Sequence, residues 1–403
     1  MAQVIGDRTT NQAITETRLI RQVGAEISLL EPNEAPLITF LNRLKKRRAV
    51  KSPRWEWFED DYVARWTQNG TSTVANSTSS TTITVVDGTL FVPGDTFVVP
   101  KATSSSSAPE VCRVTVVSTN TLTVVRDIGG VGADTILPSA ALRLMGTSYE
   151  EGGTIPSAKT TAPVGKITYT QIFRDVIDMA NTNIASAQYG TSNERQRLHQ
   201  KALKSHKIKM NMAFLFGQPS ESLAGGPTGK PIRTTMGLNN TISTNVVDAA
   251  GTLTMKTFET FSRAAFRYGK NEKLLLCSPI VKSAINSWGN NYLMVKPGEK
   301  KWGVNVQEVQ TAHGTWLVTN DWMLETAISG QNGFGNMAFS IDVDMLDMIY
   351  LSGNGENRDT HIRENVILDG RDAKVDEILS EIGLVVMQEK WHAKLFDVTD
   401  YSQ

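Results

Sequence analysis

Catalysis needs an acid, a base, a nucleophile or a metal cage, and the residue types able to supply them are few in this chain. Its five histidines are scattered. His199 and His206 fall in a helical stretch, His313 in a turn, and His361 and His392 in strand-like segments. None belongs to an H-E-x-x-H pattern, and no serine occupies a nucleophile elbow. Cys112 and Cys277 are the only cysteines. Two isolated thiols frame neither a disulfide scaffold nor a structural zinc site. Cys277 sits in the apolar run KLLLC with no histidine near it in sequence, which predicts a buried, inert thiol. Asp342, Asp344 and Asp347 in IDVDMLD could place two carboxylates on one strand face. Without a glycine turn and further oxygen ligands they do not make a calcium loop. A solvated strand edge or an ion pair between subunits is expected instead. The run LAGGPTGKP (residues 223–231) resembles a phosphate loop, but Ala224 stands where glycine is required and Pro231 follows Lys230 where Ser or Thr is required. A surface loop is expected there. No catalytic set, metal site or cofactor site emerges.

The remaining chemistry is cationic. From Thr191 to Pro219 the sequence predicts one helix of about seven turns, roughly 35 Å long. Leu198, Ala202, Ser205, Ile208, Met212 and Leu215 recur at steps of three and four and should share its apolar face. Arg197, Lys201, Lys204 and Lys207 repeat the same spacing along the flank, where only Glu194 is acidic. His199 and His206 fall on the opposite flank. Thr191, Ser192 or Asn193 offers the N-cap, and Gly217 and Pro219 the stop. Such a stripe suits a solvated face, an acidic neighbouring subunit, or sequence-blind contact with nucleic-acid phosphates. It lacks the side chains and context for reading bases.

The elements that must carry this helix are mixed. The chain has 403 residues, 40% hydrophobic and 20% charged, with 41 basic and 41 acidic side chains. That excludes wholesale disorder and a dedicated DNA-binding domain, and it predicts two or three domains. The N-terminus lacks the apolar core of a signal peptide, and no run is long enough to span a membrane, so synthesis in a reducing cytoplasm is expected. After a polar arm and an amphipathic segment at Ile20–Leu30, the run RWEWFEDDY gives an aromatic strand bounded by acids. Between Thr67 and Tyr149, alternating Val- and Thr-rich runs separated by turn signals predict a small antiparallel β domain inserted in a mixed fold. Later, helices are expected at Thr254–Tyr268 and Pro279–Trp288. Strands are expected at Lys273–Cys277, Val304–Val309, Thr315–Thr319, Met337–Val343, Met348–Leu351, Ile362–Leu368 and Gly383–Lys390, mostly antiparallel.

The order of these features resembles the major head proteins of tailed bacteriophages, in particular the podovirus-type group with a β domain in its extended loop. The residues concerned are Ala35-Pro36-Leu37, Trp55-Glu56-Trp57-Phe58-Glu59-Asp60, Pro93-Gly94-Asp95, Glu150-Glu151-Gly152 and Thr170-Gln171-Ile172-Phe173, followed by the basic helix. The resemblance spans nearly the whole chain. It implies an α+β fold of the Hong Kong 97 (HK-97-like) capsid type. The arm would be residues 1–49, the extended-loop arms 50–66 and 148–170, and the β insertion 67–147. A peripheral domain with the spine helix would cover 171–234, the axial domain 235–345, and strands returning to the peripheral domain 346–403.

By that resemblance the chain would be no enzyme but a virion shell protein. It would form homo-hexamers and homo-pentamers of an icosahedral or prolate head around double-stranded DNA and then mature by rigid-body motion. Trp55, Trp57, Phe58, Glu59 and Asp60 would contact a neighbouring subunit, and Arg197, Lys201, Lys204 and Lys207 would face the DNA. Partners would be a separate scaffolding protein, a portal and a decoration protein. An encapsulin-like compartment shell, a cytoplasmic enzyme with an appended β domain and a tail component are the alternatives.

Overall fold

The computed structural model describes residues 35–62, 64–101, 108–153, 156, 158–186, 193–289, 294–301, 304–325, 336–366 and 370–402. The segment Ile20–Leu30, Thr191, Ser192, the Ser104–Ser107 run and Leu368 therefore lie outside the described residues. The chain divides into two compact units, Phe58–Gly165 and the remainder on both sides of it.

The inserted unit is all β. Six strands follow the order Trp66–Gln68, Ala141–Thr147, Asp95–Val99, Glu110–Ser118, Thr121–Val125 and Thr82–Thr84, and every pairing is antiparallel. The two end strands meet through the Asn69–Val85 bridge, with Gly70 N–H donating to Thr84 O (2.7 Å) and Val86 N–H to Gln68 O (2.9 Å). The sheet thus closes on itself, which removes its edges. Period-two alternation turns Phe97, Val99, Cys112, Val114, Leu122 and Val124 inward. One ion pair shares that interior. Arg126 donates to Glu110 through Nε (2.8 Å) and Nη2 (2.5 Å), and neither side chain is exposed. Glu110 also accepts the Asp134 and Asp127 amides, and Arg126 donates to Ala75 O. Burial opposes the Glu110 charge, but Arg126 and the Asp134 amide, with Cys112, outweigh it and hold the carboxyl below its ordinary value.

The other unit holds two large sheets with the long helix between them. In the first, which has six strands, Arg47–Val50, Leu346–Gly353, Ala373–Val386 and Gln171–Ala180 lie in that order, with His361–Arg363 beside Ala373–Val386 and Glu356–Asn357 beside Leu346–Gly353. The second runs Val246–Leu253, Ala393–Tyr401, Ala338–Ile341, Glu272–Cys277, Thr315–Asn320, Val304–Gln310 and Met294–Lys301. Strand Glu272–Cys277 is covered on both faces, which is why it reads as a continuous apolar run rather than an alternating one. Leu275 and Cys277 face helices Met255–Ala265 and Pro279–Gly289 through Phe258, Phe261, Ile285 and Trp288. Leu274 and Leu276 join Phe339 and the long helix's Met210, Phe214 and Leu215 in the largest core.

Several expectations need correcting. The long strand begins at Ala373, ten residues before the expected Gly383, and was missed there because its first nine residues carry Asp376, Glu377, Ser380 and Glu381. Strands Val246–Leu253 and Ala393–Tyr401 were not anticipated, and they pair in parallel, as do Glu272–Cys277 and Thr315–Asn320. The C-terminal half is mostly antiparallel, as expected, with these two parallel pairings inside it, and its last strand belongs to the seven-stranded sheet. His392 precedes that strand, at the end of a 3-10 turn, and is buried.

Removing one partner of the pair inside the closed sheet should be costly, since it leaves a buried charge alone. Arg126→Met is expected to destabilise the fold by about 3–5 kcal/mol. The double change Glu110→Leu with Arg126→Met should recover much of that loss, as read by denaturant unfolding of the full chain.

Candidate assembly surfaces

The long helix spans Glu194–Phe216, 23 residues. Asn193 caps it by accepting the Gln196 amide (3.1 Å), and at the far end Asn240 Nδ2 donates to the Phe216 and Gly217 carbonyls, both at 2.9 Å. Gly217 is required at this exit, because a Cβ there would sit 2.4 Å from Ala213 O and 2.6 Å from Thr235 O.

The buried face differs from the expected stripe. Leu198, Ala202 and Leu203 pack on Ile177, Met179 and Ile378, and Leu215 is buried as anticipated, but Ser205 is exposed while Ile208 and Met212 are half-buried. Burial centres instead on His206, Met210, Asn211 and Phe214. The face was misjudged because half of it is polar. Asp376 Oδ2 binds both Arg195 Nε and His199 Nε2, each at 2.6 Å. His206 lies between Asp175 Oδ2 and Ser380 Oγ, each at 2.7 Å, and Lys209 also pairs with Asp175. Arg195 above all, aided by the Asn365 amide and His199, overcomes burial and keeps the Asp376 carboxyl well below the usual carboxylate range. Burial raises Asp175, but Lys209 and His206 more than offset it, so it too is lowered. Both histidines do face away from the basic flank.

On that flank, Arg197 is not isolated. It pairs with Glu194 one turn back, through Nε at 2.7 Å. Lys201, Lys204 and Lys207 are exposed along the next two turns.

The aromatic strand Arg54–Glu59 is split in role. Trp55 and Trp57 are half-buried against the subunit's own Val50, Ile349 and Val385. Phe58 is 78% exposed and Tyr62 fully so, with Glu59 half-buried and Asp60 exposed beside them.

The other candidates resolve as internal fastenings. Asp342 does not share a strand face with Asp344. It is buried and caps the turn Val343–Met345, accepting the Lys270 and Asp344 amides. Asp344 pairs with Lys46 and Lys270, and Asp347 with Arg48, all within this chain. Next to them Lys273 Nζ is buried and donates to Ala265, Tyr268 and Trp391 carbonyls at 2.5–2.7 Å. Burial brings its ammonium down to about 8, with Asp342 opposing. Residues 223–231 form the exposed loop of a hairpin, Ser220–Ser222 with Ile232–Thr234, and the Gly226 and Gly229 amides are spent inside it. Both thiols are buried, and burial pushes each up to about 12. Among the described residues no group of three His, Cys, Asp or Glu could hold a metal ion, and no helix is long and apolar enough to cross a membrane.

Two large sheets joined through a long helix with a polar buried face make this unit α+β. The chain belongs to the SU10 major capsid protein family, whose family model matches residues 5–399. This is a family of structural capsid proteins and not of enzymes. The resemblance to tailed-phage head proteins is thereby borne out. The chain is 26% identical over 257 residues to a major capsid protein of Pseudomonas phage PaMx41, covering 60% of this chain and 59% of that relative. It thus spans less than two thirds of the relative's length. Among solved structures, the capsid of a native GTA particle aligns over 97% of this chain and 99% of its own, at 8% identity and a TM-score of 0.49. The holo-SrpI encapsulin complex of Synechococcus elongatus PCC 7942 aligns over 60% and 80%, at 11% identity and 0.42. At such scores the assignment rests on the family match.

One buried acid gives a pH prediction. Asp321 accepts Asn211 Nδ2 (2.9 Å) and the Met323 amide, and burial lifts its carboxyl above its ordinary value against both. A carboxyl raised on folding contributes stability at low pH that is lost as pH rises toward its folded value. Asp321→Asn should therefore raise the melting temperature at pH 8, and the gain should vanish near pH 4 in a pH series of thermal melts.

Proposed function

We propose that this chain is the shell-forming subunit of a bacteriophage head with the HK-97-like capsid fold. It would assemble as hexamers and pentamers into an icosahedral or prolate container for double-stranded DNA. The observation that carries this is the family match over residues 5–399. The long helix Glu194–Phe216 would be the spine of a peripheral domain built on the six-stranded sheet, and the seven-stranded sheet the body of the axial domain. The closed β unit would be carried on the extended loop. Assembly would take place in the host cytoplasm with a scaffolding protein and a portal, and a decoration protein could dock on the finished shell.

Within this scheme Lys201, Lys204 and Lys207 supply the cationic lining, with Arg197 contributing less because Glu194 neutralises it. Such a lining binds phosphates without reading sequence. A neutral chain is suited to the task, since packaged DNA brings its own counterions and must later be released. Phe58 and Tyr62, with Glu59 and Asp60, form the contact toward a neighbouring subunit, because they are the exposed part of the aromatic strand. Trp55 and Trp57 act indirectly by seating that strand on its own subunit.

Electron microscopy of the chain expressed with its scaffold should show closed shells. A protein that stays monomeric under every assembly condition would sink the proposal. Changing Lys201, Lys204 and Lys207 together to Gln should leave empty-shell yield intact and lower nuclease-protected DNA. Lost assembly would instead assign the stripe to a subunit contact.

A further inference from the structure

Strand Gln171–Ala180 is the last of its sheet. One side pairs with Ala373–Val386 over all ten residues without a register shift, and no strand among the described residues covers the other side. Proteins that must not associate blunt such an edge with a bulge, a proline, an inward charge or a lysine. This strand, QIFRDVIDMA, has no proline, no lysine and no bulge, and its one inward charge, Asp175, is paired with His206 and Lys209 of the helix. Phe173, Ile177 and Met179 are buried on the face that carries the long helix. On the other face Ile172 is 50% and Val176 62% exposed. Between and beyond them come Arg174 and Asp178, whose side chains are 62% and 39% exposed while held by Glu377 and Arg371 respectively.

The order of these side chains is self-complementary about Val176. Arg174 and Asp178 lie two residues to either side, and Ile172 and Ala180 lie four to either side. An antiparallel copy related by a two-fold axis through Val176 sets Arg174 against Asp178 of the second copy, twice, with Val176 against itself. Centring the pair on Asp175 or Ile177 instead would put Val176 against Arg174 or Asp178 and lose the charge match. Opposed charges and apolar pairs are the units that fix register between antiparallel strands. An isologous contact needs a surface that matches itself. An axis normal to the sheet also keeps both long helices on the same side, as a shell with one inner surface requires.

We infer that Gln171–Ala180 pairs edge to edge with the same strand of a second copy, joining two six-stranded sheets into one across a two-fold axis. The inference rests on the shell-forming function proposed above and names one of its contacts.

Val176→Cys in the full chain tests it directly. Opposed residues of an antiparallel pair lie about 4.5–5.5 Å apart at Cα, within disulfide range. Mild oxidation of assembled particles with copper–phenanthroline should give a linked dimer on a non-reducing gel. Unassembled Val176→Cys, and assembled wild type with its buried Cys112 and Cys277, should give none. In a second arm, Val176→Lys, which sets two ammonium groups face to face on the axis and leaves the Arg174–Glu377 and Asp178–Arg371 pairs intact, should cut particle yield at least about tenfold, while Val176→Leu should assemble like wild type. Particles that form normally while Val176→Cys stays unlinked, and Val176→Lys that assembles as well as Val176→Leu, would overturn the pairing and leave the shell reading intact. A wild-type chain that never assembles would end both.

Discussion

A carboxylate taken out of water must meet a cation or strong hydrogen-bond donors, and the body that carries the long helix is arranged around that demand. Strand Ala373–Val386 is buried along nearly its whole length yet contains Asp376, Glu377 and Glu381. Each is answered from a different element: Asp376 by Arg195 and His199 of the helix, Glu377 by Arg174 of the neighbouring strand, Glu381 by Arg358 and Thr170. Buried pairs of this kind add little net stability compared with apolar packing, but breaking one is expensive. Their effect is positional. The helix has one place on the sheet where its cations and histidines find partners, and sliding it by a turn would strand several charges at once.

That constraint also decides what the sequence could reveal. Local signals were enough for the helix caps at Asn193 and Gly217, the apolar strand at Lys273–Cys277, and the alternating runs of the β unit. They failed wherever a buried face is polar. His206 and Asn211 are fully buried, yet any apolar-periodicity count scores them as surface and moves the stripe toward Ser205 and Ile208. Asp376 and Glu377 likewise made the first half of the longest strand look like a loop. The last strand, Ala393–Tyr401, alternates weakly, and its parallel partner Val246–Leu253 is nearly 150 residues away, so only tertiary pairing defines either. One signal was available: His199 and His206, seven residues apart, fall on the flank opposite the lysines. Read as anchors, they point to the correct face.

The candidate surfaces show the same division. The aromatic strand was legible as a strand, but not that Trp55 and Trp57 turn back to the subunit's own core while Phe58 and Tyr62 do not. Alternation separates the two tryptophans from Phe58, and only the structure shows which side is covered. The three acids of IDVDMLD were legible as charges, but their partners Lys46, Lys270 and Arg48 come from distant segments, so nothing local marked them as internal fastenings.

The helix spends its inward polar groups, His199 and His206, on the sheet, while Lys201 and Lys207 are exposed on the opposite flank. The sheet has the complementary property. One face is occupied by the helix, and of the two edge strands Arg47–Val50 is only four residues long with two arginines, whereas Gln171–Ala180 runs for ten, so the longer edge open to main-chain pairing is the latter. Sealing the β unit into a closed sheet removes the same capacity there, which limits the ways copies can join through their backbones. For a chain that forms a repeated structure rather than open aggregates, how its strand edges are shortened, charged or closed matters as much as any attractive contact.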